Sequence, residues 1–187
     1  MSQAADKRDS APGWTGATTD PTRLVLLRHG QSPMSIRREY SGSRSNPDLT
    51  EVGRQQAAAA ARHLVALVDS GSMNFSAIVA SPQRRAQQTA EAAANALGLD
   101  IHIEEDLRET DFGQWEGMTF SEAHNATPDL HSSWLADPTV APPEGEDFRS
   151  VDSRVGAARE RIARQFGASD VLVVSHVTPI KSLLRQG

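Results

Sequence analysis

A chain of 187 residues can bury a sizeable core as one domain, and with no cysteine it has neither disulfides nor a thiolate metal site. Its net charge of -5 argues against a nucleic-acid partner. No apolar run approaches the roughly 20 residues of a membrane-spanning helix, and Lys7 and Arg8 lack the apolar stretch of a secretory signal, so a cytoplasmic protein without membrane contact is expected.

Residues 1–22 are rich in Ser, Ala, Asp, Thr and Gly, lack periodicity, and predict a flexible N-terminal arm. Leu24–Leu27 reads as a short buried strand ending in Arg28-His29-Gly30. Residues 31–49 form a long polar loop, a length that in a compact domain is more often functional than idle. Thr50 can cap a helix that runs to about Asp69 and stops at Ser70-Gly71. Ala77–Ala80 is a second strand. Ser81 is expected to cap the next helix, with Pro82 at its first position and Gly98 at its end. A third strand is expected over Asp100–Glu104, followed by an acidic, aromatic loop, Leu107–Gly117. Thr119 and Glu122 make a capping box, and Thr127-Pro128 opens a helix carrying Leu130, Trp134 and Leu135. After a proline-rich loop, a longer helix spans Phe148–Phe166 and ends at Gly167. Val171–Val174 is a strand leading into Ser175-His176, and Thr178-Pro179 opens the last helix. Strands alternating with helices predict an α/β three-layer sandwich, with a mostly parallel central sheet and helices on both faces.

Ligands of such sheets bind beyond the carboxyl ends of the strands. Two strands there end in histidine, at His29 and His176, and a third is followed by Arg84 and Arg85. Guanidiniums pair with phosphate oxygens and keep their charge. They also favour neutral imidazole, which can attack phosphorus. The leaving oxygen needs an acid, and Glu109 and Asp111 are both candidates by spacing. A metal held by the two histidines and a carboxylate is the competing arrangement, but the adjacent arginines would repel a cation.

Four blocks carry a resemblance. They are Leu26-Leu27-Arg28-His29-Gly30-Gln31-Ser32; Ser81-Pro82-Gln83-Arg84-Arg85-Ala86-Gln87-Gln88-Thr89-Ala90; Leu107-Arg108-Glu109 with Phe112-Gly113 and Trp115-Glu116-Gly117; and Val174-Ser175-His176. In order and spacing they resemble the histidine phosphatase superfamily, the phosphoglycerate mutase-like group. The resemblance implies a histidine phosphatase-like domain over residues 23–187. It implies a phosphatase needing no metal or cofactor, which hydrolyses a small phosphomonoester through a phosphohistidine on His29. It gives Arg28, Arg85 and His176 to the phosphoryl oxygens and Glu109 to the leaving group. Val177 stands where the acid phosphatase and phytase branch carries an aspartate, which favours the branch whose acid is Glu109.

Within that branch, Gln31-Ser32, Tyr40-Ser41-Gly42, Asn46-Pro47, Thr110–Gly113 and Ser175–Lys181 are similar to α-ribazole phosphatase-type proteins. They are similar also to the phosphatase half of actinobacterial bifunctional ribonuclease H/acid phosphatases, so a ribonuclease H domain is expected in any longer parent chain. The substrate, a small phosphorylated metabolite, is expected to meet Gly30, Gln31, Ser35, Arg38, Ser41, Gly42, Val177 and Glu146. Ser35 stands where relatives often have asparagine, and Glu39 where arginine is frequent, with Arg38 as its substitute. The family chain continues into a further strand, so the stop at Gly187 is expected to leave a sheet edge unpaired. Phosphoglycerate mutase-type phosphoryl transfer is the nearest alternative, though little room exists for the mutases' insertion after the acid loop. A non-catalytic phospholigand-binding module is the other.

Overall fold

Four strands form, β1 (Arg23–Arg28), β2 (Phe75–Ala80), β3 (Ile101–Ile103) and β4 (Asp170–Ser175), in a computed structural model that describes residues 21–187. The expected arm lies outside the described residues, apart from its last two. All four strands pair in parallel, in the order β1-β4-β2-β3. A strand flanked on both sides and covered on both faces is apolar without alternation. That accounts for the Val-Leu-Val-Val run of β4, buried along its whole length. β1 is an edge strand of this sheet, so Leu24–Leu27 are half-buried where full burial was expected.

The connecting helices are α1 (Pro33–Arg37), α2 (Glu51–Asp69), α3 (Arg84–Leu97), α4 (Phe120–Ala126), α5 (Pro128–Ala136), α6 (Phe148–Phe166) and α7 (Val177–Gln186). Side chains alternate across a strand, and this sorts the core into two layers. Leu24, Leu26, Ala77, Val79, Val171 and Val173 pack with Val151, Val155, Ala158 and Ile162 of α6 and Leu183 of α7. Val25, Leu27, Ile78, Ala80, Leu172 and Val174 pack with Leu64 of α2 and Ala86, Ala90 and Ala93 of α3. The result is the expected three-layer α/β sandwich. A third cluster joins Tyr40, Phe112, Trp115, Ala123 and Trp134, tying the segment after α1 to the acid loop and to α4 and α5.

The caps of α2 and α4 form as expected. Thr50 Oγ1 accepts the Gly53 N–H at 3.0 Å, and Thr119 and Glu122 close a capping box. Two local expectations are corrected. Residues 31–49 are not all loop: Ser32 and Ser35 form a capping box around Pro33 and start α1. The third helix starts at Arg84, with Gln83 at its N-cap, so Ser81 lies outside the helix and is not its cap. Its hydroxyl is turned instead to His176.

One close approach fixes α2 against the segment after β1. A Cβ on Gly53 would stand 2.1 Å from the carbonyl oxygen of Gln31, and one on Gly30 would stand 2.5 Å from the carbonyl oxygen of Gly53. Both obstacles are backbone, so neither can step aside. Helix propensity alone would favour alanine by up to about 1 kcal/mol. We expect Gly53→Ala instead to lower the free energy of urea unfolding by about 1–3 kcal/mol through overpacking. A rise in stability would show that the two backbones are not in contact.

Candidate active site

Parallel register carries three strand ends to one place. Arg28 pairs with Ser175, and Ala80 with Val174. One residue further on, the His29 N–H donates to the Ser175 carbonyl at 3.1 Å, and the Ser81 N–H to the Val174 carbonyl at 3.0 Å. The imidazoles of His29 and His176 then stand with ring centroids 5.0 Å apart, tilted by 55°.

Hydrogen bonding settles the His29 tautomer. Nδ1 lies 2.7 Å from the carbonyl oxygen of Gly30, which can only accept. Nδ1 therefore carries the proton, and Nε2 keeps its lone pair. Burial pushes the His29 pKa down to about 4; the Gly30 carbonyl opposes this, while Arg85 and Arg28 add to it. His176 is buried outright, and burial, followed by Arg85, His29 and Arg28, holds it well below the ordinary histidine range. Its Nε2 is 2.8 Å from Ser81 Oγ. The Gln83 N–H also donates to that oxygen at 3.4 Å. His176 Nδ1 is buried with no partner, and so is Arg85 Nε.

Arg85, also without exposed surface, anchors the loop after α1. Its terminal nitrogens donate to the carbonyls of Ser45 at 3.1 Å, Ser41 at 3.0 Å and Gly42 at 3.3 Å. Burial lowers its pKa to about 10, against the pull of Glu109 and Glu116, so it remains a cation at neutral pH. The loop passes so close to Thr110 that a Cβ on Gly42 would stand 2.2 Å from that residue's carbonyl oxygen. The Gly42 N–H donates to Glu116 at 3.0 Å. Gln83 joins this loop to the acid segment: its amide nitrogen donates to Gly42 O at 2.8 Å, and its Oε1 accepts the Glu109 N–H at 2.8 Å.

The Glu109 carboxylate sits at the N-terminus of α7, where unpaired N–H groups attract negative charge. It accepts the N–H groups of Thr110 at 2.9 Å, Val177 at 3.1 Å and Thr178 at 3.3 Å. From α6, Arg154 donates to the carbonyls of Asp106 at 2.6 Å, Arg108 at 2.8 Å and Glu109 at 3.3 Å, bracing the turn before the acid.

Arg28, His29, Ser35, Ser41, Glu109 and Val177 line one cleft of about 440 Å³. His176 and Arg85 are buried beside His29 and do not line it. Other expected contacts lie elsewhere. Glu146 is gripped by Arg154 at 2.8 and 2.9 Å and lines a separate polar hollow with Ser43, Arg108, Asp111 and Gly145. Arg38 is exposed as the left-handed C-cap of α1, with φ 57°. The Gln31 side chain accepts the Thr50 hydroxyl at 2.8 Å, and the Gly30 N–H donates to Thr89 at 3.1 Å. Ser35 reaches the cleft, but its hydroxyl is engaged with the Ser32 backbone at 2.7 and 2.9 Å. A hollow of similar size, about 490 Å³, runs along β1 near Leu183 and Leu184 and holds none of these groups.

Sequence reasoning missed Ser81, Gln83, Glu116 and Arg154. The first three lie inside the recognised blocks, which was their available signal. Arg154 sits in the middle of a helix with no local motif to mark it.

Residues 24–187 match the family described as the histidine phosphatase superfamily (branch 1). The chain is 51% identical over 181 residues to the bifunctional protein Rv2228c of Mycobacterium tuberculosis, covering 97% of this chain and 48% of that one. It thus spans about half the length of the first curated relatives it matches. Among solved structures it is similar to mycobacterial glucosyl-3-phosphoglycerate phosphatase Rv2419c in complex with VO3, with TM-score 0.76, 32% identity, and 88% of this chain and 81% of that chain covered. It is similar also to the α-ribazole phosphatase of Shigella flexneri, with TM-score 0.75, 29% identity, and 88% and 79% covered. Matched from its first strand to its last helix, the chain belongs to the histidine phosphatase superfamily.

Proposed function

We propose that this domain is a phosphatase that hydrolyses a small phosphomonoester, without a metal, through a phosphohistidine on His29. The observation that carries this reading is the free Nε2 of a half-buried, neutral His29 among unengaged donors. In the first step the Nε2 lone pair forms a P–N bond as the ester P–O bond breaks. Glu109, protonated by the ester monoanion as it binds, passes that proton to the departing oxygen. Arg28, Arg85 Nε and His176 take the charge that develops on the other phosphoryl oxygens. In the second step the Glu109 carboxylate takes a proton from water, and the water oxygen attacks phosphorus. The P–N bond then breaks, returning the lone pair to Nε2 and releasing inorganic phosphate.

The relatives named for glucosyl-3-phosphoglycerate and for α-ribazole support a small phosphorylated metabolite as substrate. The bifunctional relative supports a second domain in a longer parent chain, which we assign as ribonuclease H; no nucleic acid is assigned to this domain.

Phosphohistidine survives alkali and not acid, so the test is mass spectrometry of protein quenched in alkali during turnover of 4-nitrophenyl phosphate. Phosphate is expected on His29. His29→Asn should remove it and lower kcat by on the order of a thousandfold or more. Phosphate on a carboxylate, or none on the protein, contradicts the reading. A second expectation concerns pH. His29 is reactive only when neutral, and its folded pKa is lowered, so it should stay reactive as pH falls through the ordinary histidine range and lose reactivity near pH 4. The rate of His29 carbethoxylation by diethyl pyrocarbonate, mapped by peptide mass, reads this in the free enzyme. A midpoint at the ordinary value of about 6.5 would show that burial does not hold the ring neutral.

A further inference from the structure

We infer that the cleft takes the phosphate ester of a large apolar alcohol, an aryl or longer alkyl ester, in preference to that of a polyol. This rests on the phosphatase reading and names the leaving group that the site fits. Beyond Arg28, His29 and Glu109, the cleft is walled by Tyr40, Phe112, Phe120, Trp134, Leu135 and Phe148. The rings form one continuous surface. Tyr40 lies 4.7 Å from Phe112 and 4.7 Å from Phe120 between centroids, and Trp134 lies 5.0 Å from Phe148. Phe120 is 57% exposed and Leu135 67% exposed, so two large apolar side chains of this wall are left facing water. An apolar ligand would cover them.

Most polar atoms of the same wall are already engaged, one exception being Trp134 Nε1, which is buried with no partner. The Tyr40 hydroxyl bonds His131 Nε2 at 2.8 Å, and Ser35 bonds the Ser32 backbone. Glu39 is held by Arg37 at 2.5 and 2.9 Å, and Ser41 by Ser45 at 3.2 Å. Ser32 Oγ accepts the Ser35 N–H at 3.3 Å, Thr178 and Lys181 are the remaining polar side chains, and Lys181 offers a long apolar stem as well as its charge. The hydroxyls of a sugar or glycerol leaving group would find few partners here and would lose those they have in water. A cavity of about 440 Å³ also leaves room well beyond a phosphoryl group.

The test uses primary alkyl phosphates, whose alcohols differ little in acidity, so the chemical step is held constant while the apolar area grows. From ethyl through butyl to hexyl phosphate, kcat/KM should rise by about fourfold per methylene, mostly through KM. Glycerol 1-phosphate should fall at least about tenfold below propyl phosphate. The double variant Phe120→Ala/Leu135→Ala, altered at exposed positions and checked for folding by circular dichroism, should cut the hexyl-to-ethyl ratio by about tenfold. A flat series, or glycerol 1-phosphate or 3-phosphoglycerate ahead of the alkyl esters, overturns the leaving-group inference and leaves the phosphatase reading standing. No phosphate release from any ester, 4-nitrophenyl phosphate included, overturns both.

Discussion

The pairing of β1 with β4 is the constraint on which the site depends. Parallel strands place their carboxyl ends at the same edge, and here the register aligns Arg28 with Ser175. The hydrogen bond from His29 N–H to Ser175 O then sets the next residues, His29 and His176, side by side. A shift of one residue would turn the alternating side chains of β1 to the opposite layer. It would exchange Leu24 and Leu26 with Val25 and Leu27 between two cores of different shape. The packing that fixes the register therefore also fixes the distance between the imidazoles.

Burial does the electrostatic work that follows. Two neutral imidazoles with two arginines nearby make a region of positive potential. Charge inside protein is screened less than in water, so such a region suits a phosphoryl group that arrives with its own negative charge. Arg85 serves two ends at once. Its terminal nitrogens hold the loop at Ser41–Ser45, and its Nε stays without a partner. Gln83 and Arg154 fix the main chain around Glu109 from opposite sides of the sequence, and the first turn of α7 holds its carboxylate. The acid is thus placed by two side chains and a helix terminus acting on its main chain and carboxylate, and the nucleophile by the backbone bond from His29 to Ser175.

Much of this frame was legible in the chain. The apolar runs Leu24–Leu27, Ala77–Ala80 and Val171–Val174 are short, bounded by polar residues and separated by helical segments, which is enough to predict the parallel sheet and the edge shared by the two histidines. The caps at Thr50 and Thr119 were legible because their partners lie three residues away. What escaped depends on tertiary choices between equivalent local options. Ser81 could cap a helix or bond His176, and only the fold decides. Ser35 could face a substrate or close a capping box, and it closes the box. Glu146 looked available until Arg154, eight residues on and one helix in, took both of its oxygens. The aromatic wall was hidden for a different reason. Tyr40, Phe112, Phe120, Trp134 and Phe148 come from five separate segments, none with a periodicity that marks a ligand surface.

The central claim is that the fold delivers His29 as a neutral ring with its proton on Nδ1 and its lone pair on Nε2. Long-range ¹H–¹⁵N correlation of the imidazole nitrogens at pH 7, with His29→Gln to assign the signals, tests this directly. A pyridine-like Nε2 and a protonated Nδ1 are expected for His29. A proton on Nε2, in either the other tautomer or the imidazolium, would contradict the account.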